Sequence, residues 1–100
     1  MKTILKNRSL LRISGSEAEI FLQNQLSNDI TKLNNSEVQL NAYCQHQGKI
    51  IALIWVMRYE DCFLLSFPLD LAEKVKSRLQ MFIIMSDVVI NDISDDFIQL

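Results

Sequence analysis

Residues 50–57, IIALIWVM, form an unbroken apolar run of eight. That length is far short of the ~20 residues a membrane-spanning helix needs. Bounded by Gly48-Lys49 on one side and the polar stretch Arg58 to Asp61 on the other, it reads as a buried strand. A strand so uniformly apolar is expected to be covered on both faces and to lie centrally in its sheet. Whatever else the chain does, it must build a sheet around this segment.

The neighbours supply that sheet. Val38, Leu40, Ala42 and Cys44 alternate with Gln39, Asn41, Tyr43 and Gln45, the period-2 pattern of a strand whose first set faces a core. His46-Gln47-Gly48 then turns the chain. After the second turn at residues 58–61, CFLLSF makes a third strand, so the three strands form an antiparallel meander. Pro68 ends it, because proline cannot donate to a ladder.

On the N-terminal side, Ile4-Leu5 and residues 10–13 are two short strands with a turn at Asn7-Arg8. Gly15 suits a sharp strand-to-helix turn. Ala18, Phe21, Leu22 and Leu26 then fall on one helical face, with Ser16/Glu19 and Ser14/Glu17 as alternative capping boxes. The helix is expected to end near Asn28, followed by a polar loop.

A second helix opens at Asp70 with Glu73 three residues on, burying Leu71, Val75, Leu79 and Phe82 and turning Lys74, Lys76 and Arg78 to water. VVINDI and FIQL are two further strands around the acidic turn Ser94-Asp95-Asp96. The resulting order, β-β-α-β-β-β-α-β-β, is an α+β fold: a largely antiparallel sheet covered by two main helices. Residues 1–100 form a single domain.

The 100 residues carry ten basic and twelve acidic side chains, a formal charge of −2 spread along the length. No basic cluster offers a footprint for direct nucleic-acid or membrane binding. The N-terminus lacks the continuous apolar core of a signal peptide. Two cysteines make no disulfide framework, and a reducing, cytoplasmic setting follows.

Chemistry is sparse. Cys44 and His46 would share a strand face as a dyad requires, but His46 falls in the turn and nothing nearby lowers the thiol pKa. Cys44, His46 and Cys62 give at most three metal ligands at spacings unlike those of zinc sites, so no metal is expected. Glu60-Asp61 and Asp95-Asp96 read as turn charges. Two glycines preclude most phosphate loops and nucleophile elbows. Trp55 and Phe63 lie inside apolar strands and read as core. No self-contained catalytic constellation emerges.

A different kind of signal lies in the order of short motifs. Ile13-Ser14-Gly15 precedes the helix AEIFLQNQLSND, Ala18 to Asp29. Tyr43-Cys44-Gln45-His46-Gln47-Gly48-Lys49 joins two strands, Pro68 to Ala72 starts a helix, and Ser86 to Ile90 is a strand. In this order the segments resemble the N-terminal part of the YgfZ/GcvT-like folate-binding family, whose first helix reads A-x-x-F-L-Q-x-Q-L/V-T-N-D. The Cys-x-x-Gln-Gly-Lys step places the likeness nearer the YgfZ branch than the glycine-cleavage aminomethyltransferase.

The resemblance implies a tetrahydrofolate-binding domain in a protein that supports assembly or repair of iron–sulfur enzymes, including those that modify tRNA. It implies a longer protein with a C-terminal domain carrying K-G-C-Y-x-G-Q-E, a motif not found in these 100 residues. Its ligand lies in a channel between domains, so the expected folate contacts are Arg8, before the first helix, Asn28 and Asp29 at the N-D step, and Lys49. Two alternatives stand beside this reading: a fragment of a one-carbon aminomethyl transferase, and a non-catalytic module that forms a homo-oligomer through an exposed sheet edge.

Overall fold

The computed structural model describes residues 8–44, 49–83 and 86–93. The expected strand at Ile4-Leu5, the turn containing His46, and the strand FIQL lie outside them. The described elements are β1 (Arg8–Ser14), α1 (Ala18–Gln25), β2 (Val38–Cys44), β3 (Ile50–Tyr59), β4 (Cys62–Pro68), α2 (Ala72–Phe82) and β5 (Val89–Asp92), with 3-10 turns at Ile30–Lys32 and Leu69–Leu71. The five strands pair antiparallel in the order β2-β3-β4-β1-β5. The α+β architecture with two helices is as the periodicities predict.

One face of the sheet holds the core. Leu11 and Ile13 from β1, Ile54 and Val56 from β3, and Phe63, Leu65 and Phe67 from β4 cluster with Phe21 and Leu22 of α1 and Val75 and Leu79 of α2. Burying each such side chain contributes about 1.5–3 kcal/mol. Phe82, on the same stripe of α2, is exposed.

The middle strand differs from the expected one. The apolar run in β3 lies second from the edge, and β4, whose residues 62–65 are all buried, takes the centre. β3 alternates instead: Ile54 and Val56 are buried while Leu53 and Trp55 are 52% and 46% exposed.

β2 is turned over relative to its pattern. Asn41 and Tyr43 are buried, whereas Val38 and Leu40 are exposed. The cause is a set of polar tethers. Asn41 Oδ1 accepts from the Asn28 amide at 2.8 Å, Asn41 Nδ2 donates to Gln39 Oε1 at 3.0 Å, and Gln39 Nε2 donates to the Asp29 carbonyl at 3.3 Å. A buried polar residue with its hydrogen bonds made is tolerated where an unpaired one is not.

Helix starts also differ from the capping boxes. α1 begins after Glu17 and α2 after Leu71, neither with a side-chain cap. Ser16 Oγ donates instead to Asp87 Oδ2 at 2.6 Å, and Glu17 Oε1 accepts from the Asp87 amide. The entry to α1 is thereby clamped to the approach to β5. Gly15, at φ +112°, makes the turn, and a Cβ there would lie 2.2 Å from the Asp87 carbonyl oxygen. Both its backbone and its surroundings require glycine.

Candidate functional site

Both helices cover the same face of the sheet, so the opposite face is the place to look for a site. Residues directly opposite one another across a ladder share a face. The register therefore defines a row running across four strands: Leu40 on β2, Trp55 on β3, Ser66 on β4 and Leu10 on β1. Around it on the same face stand Val38, Leu53, Met57, Leu64, Arg8 and Arg12. Leu40, Leu53 and Trp55 are all more than a third exposed.

Arg8 reaches over this face. Its Nε donates to Ser66 Oγ at 3.2 Å, across from β1 to β4, and the residue is half-buried. Arg12 is exposed near the β3–β4 turn; the Cys62 sulfur, with Asp61 and Glu60 behind it, raises its guanidinium pKa further above the usual arginine value. The open face thus combines an apolar centre with two cations along β1. Such a surface suits a flat apolar group bearing negative charge.

The other expected contacts are placed elsewhere. Asn28 lies along the outer edge of β2, where Leu26 bridges to Tyr43, Asn28 Nδ2 donates to the Leu40 carbonyl and Ser27 Oγ accepts from the Ala42 amide at 2.8 Å. These two side chains satisfy backbone groups that an edge strand would otherwise present to a neighbour. Asp29 caps the 3-10 turn, accepting from the Thr31 amide at 3.1 Å, and the Thr31 hydroxyl holds its carboxyl below the usual carboxylate range. Gln23 Oε1 accepts from the Ile30 amide at 2.8 Å. The polar residues of FLQNQLSND therefore fasten the helix exit to the sheet edge. Lys49 is exposed immediately before β3. The structure brings none of these three to Arg8.

Two residues that sequence patterning overlooked matter here. Ser66 and Trp55 sit inside apolar strands, and only the register reveals that they stand opposite one another on the face Arg8 reaches over. Arg58, expected in a turn, belongs to β3 and is an internal brace: it pairs with Glu19 Oε2 at 2.5 Å, donates to the Leu33 carbonyl at 2.6 Å, and lies 4.6 Å from the centre of the Phe63 ring.

Elsewhere, burial pushes the Tyr43 phenol above its ordinary pKa, with Arg78 opposing the shift. Cys44 is half-buried and Cys62 buried, both as free thiols. Among the described residues no group of three or more His, Cys, Asp or Glu could hold a metal ion, and no helix is long and apolar enough to cross a membrane.

Comparison with known proteins gives this geometry a context. No family model matches the chain. The aminomethyltransferase of Exiguobacterium sibiricum is 35% identical over 91 residues, 90% of this chain and 25% of that protein. The tRNA-modifying protein YgfZ of Buchnera aphidicola is 28% identical over 96 residues, 96% of this chain and 30% of that protein. Both likenesses fall within the YgfZ/GcvT-like family, which the chain resembles over nearly its whole length. Its fold agrees: the crystal structure of glycine cleavage system aminomethyltransferase T from Bartonella henselae superposes on 87% of the chain with a TM-score of 0.82 at 17% identity, using 24% of its own length. The chain thus spans about a quarter to three tenths of the length of the relatives it matches.

Proposed function

We propose that these residues are the N-terminal tetrahydrofolate-binding part of a YgfZ-type protein that supports assembly or repair of iron–sulfur enzymes, including tRNA-modifying ones. The observation that carries the reading is the sheet face opposite the helices, where Arg8 is held by Ser66 over an apolar centre. A folate presents flat rings and a carboxylate tail, and a guanidinium pairs with carboxylate through two parallel hydrogen bonds. Arg8 is the contact we assign. Asn28 and Asp29 act on the site through the position of β2.

The apolar remainder of the face is then the floor of a ligand channel whose other wall is supplied by further domain sequence, such as the relatives possess. Calorimetric titration with tetrahydrofolate tests the reading in a full-length protein carrying this domain. Saturable heat is expected, and its absence at high micromolar ligand would reject folate binding. The 35% identity to an aminomethyltransferase favours a second reading, one-carbon transfer, which requires glycine-cleavage activity when the other components of that system are supplied.

A further inference from the structure

We infer that Trp55 is the stacking platform for the ligand's ring and that Ser66 is a positioning residue that aims Arg8 at its carboxylate. The inference rests on the folate-binding reading and extends it to residues that the family motifs do not include. In the row Leu40–Trp55–Ser66–Leu10, Ser66 is the one small side chain, so the largest ring on the face stands beside a shallow gap. Arg8 closes the far side of that gap through its bond to Ser66 Oγ. Neighbouring strands lie about 4.8 Å apart, and Ser66, to which the Arg8 guanidinium is bonded, stands one strand from Trp55, a span suited to an aromatic ring with an acid close beside it.

Charge complementarity selects that occupant. The paired strand positions on this face include two cations, Arg8 and Arg12, and no carboxylate, in a chain whose net charge is −2. The nearest acids, Glu60 and Asp61, lie in the turn beyond Arg12, which leaves Arg8 as the cation beside the apolar centre. A tryptophan left 46% exposed, with Ser66 between it and the Arg8 guanidinium, offers an apolar ring face and a cation on one surface. An indole buried by folding alone would not need the cation.

Trp55 is the only tryptophan in these 100 residues, which makes it its own reporter. The 100-residue chain is titrated with tetrahydrofolate under reducing conditions, following tryptophan emission corrected for ligand absorbance, with calorimetry and light scattering in parallel. Emission is expected to fall saturably with the calorimetric Kd. Trp55→Ala should raise Kd roughly tenfold, within the range alanine substitution gives for lost base–aromatic stacking, and Trp55→Phe should recover most of the affinity. Ser66→Ala should weaken binding in the wild-type background and change nothing once Arg8→Ala is present, because it acts through Arg8.

Binding by calorimetry with unchanged emission and an unaltered Kd for Trp55→Ala would overturn the platform and leave the folate reading standing. No heat from either the 100-residue chain or the full-length protein would overturn both. Dimers whose Trp55 emission resists acrylamide would show a second copy on the face, and would overturn the inference as well.

Discussion

The two faces of the sheet are almost equally apolar in sequence and opposite in behaviour. On the helix side Leu11, Ile13, Ile54, Val56, Leu65 and Phe67 are sealed beneath α1 and α2. On the other, Leu40, Leu53 and Trp55 stand open beside Arg8 and Arg12. Even the polar residues divide unexpectedly. Asn41 and Gln39 lie on the covered face because they tether the segment after α1, and Arg58 joins them there as a brace to Glu19, while Arg8 and Arg12 lie on the open one. Apolar character identifies a surface that needs covering, and hydrogen bonding decides which surface the domain covers by itself.

Substitutions that treat the faces alike put this contrast at risk. The largest effect is expected from Leu65→Ala, on the covered face, which should lower unfolding stability by about 2–5 kcal/mol through loss of burial and a cavity. Gly15→Ala should cost roughly 3 kcal/mol, since it forces a positive φ and pushes a Cβ into the Asp87 carbonyl. Asn41→Ala removes the acceptor of the Asn28 amide and should cost about 1–3 kcal/mol, with faster amide exchange at residue 28 as the local sign. Leu53→Ser, on the open face, should change stability by no more than about 0.5 kcal/mol. A cost like that of Leu65→Ala would mean the open face is also core.

The smallest effect is the acid response of the Ser16–Asp87 clamp. Ser16 donates to the Asp87 carboxylate by hydroxyl and amide, and so holds its pKa below the ordinary value. A carboxyl whose folded pKa is depressed adds stability above its unfolded pKa, about 3.9, and loses it as pH falls through the folded value. Ser16→Ala should therefore flatten the acid limb of the stability–pH curve slightly, and leave neutral-pH folate affinity unchanged.

Much of this was legible in the sequence. The meander, both helices and the turn at Gly15 follow from period and turn chemistry, since those are local properties of residues 10–26 and 38–82. The face of β2 was not legible, because choosing Asn41 over Leu40 for the interior depends on Asn28, thirteen residues away. The capping boxes failed for a similar reason: Ser16 finds Asp87, 71 residues distant. Of the candidate site residues, Arg8 stands at the start of β1, and its neighbours are set by strand register. Trp55 and Ser66 look like ordinary strand residues until β1, β3 and β4 are aligned.

The most direct test of the division between a folding face and a binding face is the tetrahydrofolate Kd of Arg8→Ala, measured by calorimetry in the full-length protein with the unfolding midpoint determined on the same sample. Losing a charge-assisted pair worth about 1.5–3 kcal/mol should weaken binding roughly tenfold or more while the midpoint stays at the wild-type value. Wild-type affinity in Arg8→Ala, or a loss of affinity that merely follows a loss of stability, would contradict the account.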